Sequence, residues 1–238
     1  MILFTSDTDF AEDFVLDFFF NLINSFYVPW VIFATNYFER YETLRKKGFE
    51  IGIHPNFIPC KNRDEMISEV EKLKRIFPDA RYSRSHSIMS GGPIWDALKT
   101  NQITYDFSYF HPYTDILAKR KLWNDLIQVQ YNWEDDYHFH MKEFEKNDIE
   151  RIQNSKQIIV DFHPIHVYLN TKNKKDYLEY LKFKHDKEIV VQFHKENWKY
   201  GYGCGNFLLD ILENQKIEKV LNIQEFLEKI EEFHYFWR

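Results

Sequence analysis

Two aspartates two residues apart, Asp7 and Asp9, close the short apolar run that opens with Met1–Thr5. Carboxylates so placed can bind a metal or accept a proton, and α/β folds keep their loops and their chemistry at the carboxyl ends of their strands. A capping role is the competing use, because Asp9 stands just before the helix-like stretch Ala11–Ser25. Other side chains with acid, base or ligand character follow further strand-like runs: His54, Arg84 with His86, Trp133-Glu134-Asp135-Asp136, and His163 with His166.

Asp9, His54 and His86 make up the carboxylate and imidazole set that hydrolytic metal sites use, with a position left for water and substrate. Zinc suits two histidines and one carboxylate, and manganese, cobalt, nickel or iron take the same ligands. Asp7 is then the candidate general base toward water, and His163 the candidate acid toward a leaving amine. Arg84 either holds Asp7 ionised or bridges to a surface carboxylate. In the acidic stretch, one carboxylate is a candidate to orient His163, and Trp133 with Asp135 a candidate pair for a sugar pocket; a solvated acidic loop is the plain alternative. His138 and His140 alternate with Tyr137 and Phe139 and read as the outward face of a strand.

The elements that must position these groups alternate along the chain. Pro29–Thr35, Phe49–His54, Ile103–Ser108 and Gln157–Phe162 read as strands, while Ala11–Ser25, Tyr37–Lys47, Arg63–Ile76, Ile94–Lys99 and Phe144–Gln153 read as helices. His111–Asn124 reads as a long surface loop, Asn170–Asp186 as a loop or helical insertion, and Phe207–Glu213 and Gln224–Phe233 as closing helices. Tyr200-Gly201-Tyr202-Gly203-Cys204-Gly205 holds three of the seven glycines, without a phosphate-binding pattern. Such alternation predicts a parallel sheet, most economically a barrel, with open-sheet topologies as the alternative.

Composition narrows the class. At 238 residues, the chain fits one α/β domain over 1–238, and 18% aromatic residues exclude a disordered chain. A net charge of −6 without a basic tract argues against nucleic acid as a partner. The run Phe14–Trp30 carries Asp17, Asn21, Asn24 and Ser25, so it reads as an amphipathic helix and not a membrane span. Cys60 and Cys204 fit a reducing compartment, and no charged leader precedes the first strand, so a cytoplasmic, soluble protein is expected.

Taken in order, Ser6-Asp7-Thr8-Asp9, Glu50-Ile51-Gly52-Ile53-His54-Pro55-Asn56-Phe57, Arg84-Ser85-His86, Trp133-Glu134-Asp135-Asp136 and Asp161-Phe162-His163-Pro164 resemble the polysaccharide deacetylase family. This is the NodB-homology, carbohydrate esterase family 4-like group, and the likeness is to its divergent branch associated with surface polysaccharide biosynthesis. The resemblance implies a distorted (β/α) barrel and metal-dependent hydrolysis of N-acetyl, or sometimes O-acetyl, groups on sugars. It makes Asp7 the base, Asp9 a metal ligand, His54 the first histidine of the second motif and His163 the final catalytic histidine. Ile58 stands where the family has a second histidine, which leaves His86 as substitute ligand and Asn56 as a further inward-turning candidate. No Pro-Tyr pair follows Arg84 at the family's distance, and Asp161 replaces a leucine. The substrate expected is an N-acetylated sugar or glycan precursor. An amidase or deformylase acting on another carbon-nitrogen bond, and a carbohydrate-binding protein on the same fold, are the competing readings.

Overall fold

The computed structural model describes residues 1–214 and 219–233. Among them, ten strands form one sheet in the order β10-β6-β7-β5-β4-β3-β2-β1-β9-β8. These are β1 (Ile2–Asp7), β2 (Trp30–Ala34), β3 (Glu50–Ile53), β4 (Tyr82–Ser83), β5 (Tyr105–Phe110), β6 (Ala118–Lys121), β7 (Ile127–Tyr131), β8 (Trp133–Glu134), β9 (Ile158–Asp161) and β10 (Glu231–Phe233). Every pairing is parallel except that of β6 with β7. Helices pack outside: α1 (Asp13–Asn24), α2 (Tyr41–Arg45), α3 (Arg63–Ile76), α4 (Gly92–Thr100), α5 (Asp135–Met141), α6 (Asp148–Asn154), α7 (Pro164–Leu169), α8 (Lys174–Tyr180), α9 (Lys187–Tyr200) and α10 (Cys204–Asn214). An eleventh, α11 (Ile223–Lys229), follows near the C-terminus.

Strand periodicity sorts the residues into two layers. Ile2, Phe4, Trp30, Ile32, Ala34, Ile158 and Val160 face the helices, while Leu3, Val31, Phe33, Ile159, Val129 and Tyr131 face inward with Ile223, Phe226 and Leu227 of α11 and with Ile230 just after it. The helix-facing layer explains α1, whose buried residues Val15, Leu16, Phe19, Phe20 and Ile23 repeat at helical spacing. Wholly buried Phe19 and Phe20 each contribute about 2 to 3 kcal/mol of hydrophobic stabilisation. On its polar face, Asp17 and Asn21 bind Arg40. The same alternation carries Thr5, Asp7 and Asp161 into the interior with the inward-facing residues.

Asn132 curls the sheet. It is the single residue between β7, which pairs with β5, and β8, which pairs with β9 at the far edge of the strand order. Buried Asn132 accepts from the Ile159 amide at 3.0 Å and donates to the Thr114 and Gln157 carbonyls at 2.7 and 3.1 Å. One side chain thus ties β9 and the loop at Thr114 together where the strands splay, and the curled half-barrel sheet agrees with the distorted barrel expected.

Three local expectations are corrected. Residues 118–121 form a strand inside the segment read as surface loop, because Ala-Lys-Arg-Lys shows no apolar alternation; the charged side chains suit a strand near a sheet edge. The closing helix ends at Lys229, and residues 231–233 form β10 beside β6. His138 and His140 lie on helix α5, not on a strand. Among the described residues, no helix is long and apolar enough to cross a membrane.

Replacing Asn132 with Ala leaves two part-buried carbonyls and one buried amide without their partner, and unfolding in denaturant is expected to show a loss of about 3 kcal/mol. A change below about 0.5 kcal/mol would remove Asn132 from its place as the closing element.

Candidate active site and metal centre

The carboxyl ends of the parallel strands deliver the reactive groups. Asp7 ends β1, Asp9 and Phe10 follow it, and His54 follows β3, its amide donating to the Ala34 carbonyl at 2.9 Å. The His86 amide donates to Pro55 at 2.9 Å, which pins the loop after β4 against the end of β3. His163 caps α7 after β9, with Pro164 at the first helical position. Beside His86, Ser87 and Ile88 take left-handed backbone angles, φ 54° and 48°. For a β-branched residue such as Ile88 that conformation is costly and is kept where surrounding structure enforces it.

His86 Nδ1 lies 3.0 Å from Asp9 Oδ2, and His54 Nε2 lies 3.6 Å from Asp9 Oδ1. The three residues offer ligand atoms that all fall within 4.8 Å of one another, a spacing that suits bonds of about 2 Å to one central ion. Asp9 Oδ1 and both ring nitrogens of His54 are buried without a hydrogen-bond partner, which is costly unless another group completes them. Burial works against the Asp9 charge, but His54, the His86 hydrogen bond and His163 outweigh it and hold this carboxyl well below its usual range. Burial pushes His54 down to about 4 against the pull of Asp9, so its imidazole is neutral and has a lone pair to give. This donor set fits a divalent cation.

Arg84 lies behind the set and is fully buried. Its Nη1 binds Asp7 Oδ1 at 3.1 Å and also Asp161 Oδ1, while Nη2 donates to Thr5 Oγ1 at 3.1 Å. The guanidinium lies over the rings of Phe33 and Tyr131, 4.6 and 4.2 Å from their centroids. Burial raises the pKa of both Asp7 and Asp161, and the shared guanidinium only partly opposes it. The other Asp7 oxygen, Oδ2, faces His54 Nδ1 at 3.5 Å.

His163 is held at two points by fully buried Asp135. Its Nδ1 lies 2.7 Å from Oδ1 and its backbone amide donates to Oδ2 at 2.8 Å. That leaves Nε2 toward Asp9 Oδ1, 3.9 Å away. Burial lowers the His163 pKa, but the charge and hydrogen bond of Asp135, with Asp136 and Asp9, raise it well above the ordinary imidazole value.

A cleft of about 260 Å³ opens over these groups, lined by Asp7, Asp9, His54, His86, Glu134 and His163 among others. Its rim includes Phe10 and Tyr177, whose place no sequence pattern indicated, and His166, which the sequence pairs with His163. Phe10 is 59% exposed and packs edge-on against His86, 5.4 Å between centroids. Tyr177 reaches the cleft from α8, inside the segment read as loop or insertion, and His166 sits one turn along α7.

The expected sugar-pocket pair, Trp133 and Asp135, and the inward-turning candidate Asn56 lie elsewhere. Trp133 is 3% exposed and stacks on Phe162 and Phe207 in the core, on the opposite side of β8 from Glu134, so it does not line this cleft. Asp135 faces His163, not solvent. Asn56 is exposed and turns its side chain back to the Ile58 amide at 3.0 Å, a local turn that keeps it away from the donor set.

With this geometry in hand, comparison with known proteins is informative. Residues 4–181 match the sequence profile of the WbmS-like polysaccharide deacetylases. WbmS from Bordetella bronchiseptica, described as a polysaccharide deacetylase involved in O-antigen biosynthesis, has a solved structure that is 27% identical, with 90% of each chain covered and a TM-score of 0.76. The 4-alpha-glucanotransferase of Thermococcus litoralis is 11% identical with a TM-score of 0.54 over 96% of this chain and 38% of its own, a likeness of fold alone. No curated protein matches the chain. The profile match spans most of the sequence, and the chain belongs to the WbmS-like family of polysaccharide deacetylases.

Proposed function

We propose that the cleft hydrolyses the N-acetyl group of an amino sugar in a surface polysaccharide or its precursor, with a divalent cation, zinc being the best suited, held by Asp9, His54 and His86. The observation that carries this reading is the placement of that donor set between Asp7 and the Asp135-held His163. A bound cation there supplies a Lewis acid that polarises the acyl carbonyl and acidifies the attacking water.

The chain's own residues do the rest. Asp7, one oxygen fixed by Arg84, takes the water proton on Oδ2, and burial makes it more basic than an exposed carboxylate. Water oxygen joins the acyl carbon, the carbon-nitrogen bond breaks, and His163 Nε2 gives a proton to the departing nitrogen, yielding acetate and a free amine. Because Asp135 engages Nδ1 and raises the His163 pKa, the ring carries that proton at neutral pH. Phe10 presents an aromatic face to a sugar ring at the rim. The absence of a histidine at position 58 keeps a binding-protein reading in view, and His86 beside Asp9 weighs against it.

Asp7→Asn and His163→Ala are expected to keep the fold and to lower kcat for acetate release by about 10²- to 10⁴-fold. Wild-type turnover in either would remove that residue from the mechanism. Because His163 acts protonated and its pKa is raised, activity should fall on the alkaline side at a pH above the ordinary imidazole range. An alkaline limb unchanged in the residual activity of His163→Ala would assign that limb to another group. Parallel measurement of formate from N-formyl sugars distinguishes a deformylase: formate release far exceeding acetate release would replace the acetyl reading.

A further inference from the structure

The glycine-rich segment Tyr200–Gly205 has no part in the chemistry above, yet it ends against the catalytic side of the barrel. Cys204 is the first residue of α10 and is wholly buried. Its Sγ donates to Asp135 Oδ2 at 3.3 Å, the same oxygen that accepts the His163 amide. Burial, with Asp135 and Asp136 nearby, pushes the thiol pKa well up, so Cys204 stays a neutral donor.

The glycines explain how a short side chain reaches so deep. A Cβ on Gly203 would lie 2.1 Å from the Asn170 carbonyl oxygen, and one on Gly205 would lie 2.3 Å from the Trp198 ring and 2.7 Å from the Val167 carbonyl oxygen. Both are backbone approaches that no other residue allows. They seat the start of α10 against the end of α7, the helix capped by His163, and the Cys204 amide donates to Thr171 at 2.9 Å. Asn170, in left-handed conformation at the end of α7, accepts from the Asn206 amide at 3.1 Å and donates to the Asn197 carbonyl at 3.2 Å.

We infer that Cys204 is a positioning residue: its thiol hydrogen bond fixes the Asp135 carboxylate in the orientation that holds His163 Nδ1, and the glycine-rich segment exists to place it there. Asp135 has two hydrogen bonds from His163 itself, but both come from the residue it must orient. Cys204 supplies an anchor from a different element, so the carboxylate cannot swing with the ring.

This inference rests on the deacetylase reading for its effect on turnover, and a spectroscopic measurement keeps the two separable. In protein labelled with ¹⁵N-histidine, the His163 Nδ1 proton resonance is identified by its loss in His163→Gln. In Cys204→Ala that resonance is expected to shift and exchange faster with water, while kcat falls about fivefold, the worth of one hydrogen bond, at unchanged KM. Cys204→Ser, which keeps a donor, is expected to preserve the resonance and restore kcat. An unmoved resonance in Cys204→Ala, or an equal loss of kcat in the Ala and Ser variants, would overturn the inference. Absence of turnover in the parent protein counts against the deacetylase reading alone, and the resonance still decides the role of Cys204.

Discussion

One buried guanidinium serves two buried carboxylates. Arg84 reaches Asp7 and Asp161 through the same nitrogen, holds Thr5 with another, and lies over the rings of Phe33 and Tyr131. A charge in a barrel interior persists only when paired and hydrogen-bonded, and removing one partner of such a set costs about 3 to 5 kcal/mol. The strands must therefore close around this cluster in one register. Parallel pairing that sets Thr5 opposite Asp161 brings the acids to Arg84, and the same register fixes where Asp7, and so Asp9, leaves β1.

The cluster also sets the electrostatics of the cleft. Arg84 is shared between Asp7 and Asp161 and offers nothing to Asp9, which faces His86 and the neutral ring of His54 instead. Asp9 Oδ1 and both ring nitrogens of His54 are buried without partners at this point, and Asp136 Oδ1 is a further such atom in the cleft wall. On the far wall, the Asp135 carboxylate stabilises the protonated His163 ring and accepts from Cys204 behind it. Asp7, the Asp9, His54 and His86 donor set, and His163 follow one another across the cleft because three strand ends and one helix cap converge there.

Much of this was legible in the residues. Apolar runs ending in Asp7, His54, Arg84 and His163 announce strand ends, and a barrel can only bring such ends together. The distorted barrel and the family likewise follow from the order of the motifs. What stayed hidden depends on contacts between distant segments. Asp161 stands out in sequence only as a replacement for leucine, and its pairing with Arg84 needs the β1–β9 register. Trp133 and Asp135 share an acidic, aromatic stretch that reads as surface, yet alternation along β8 and the start of α5 turn both inward. Strand β6 escapes notice because its residues are charged, and the glycines near Cys204 acquire meaning only when α7 lies against α10.

The most direct measurement is the metal content of freshly purified protein by elemental mass spectrometry, beside folded His54→Ala and His86→Ala variants. A cation site at Asp9, His54 and His86 predicts about one divalent ion per chain in the parent and a clear fall in both variants. A parent protein that takes up no metal even after addition of zinc or cobalt, or variants that retain it fully, would contradict that site.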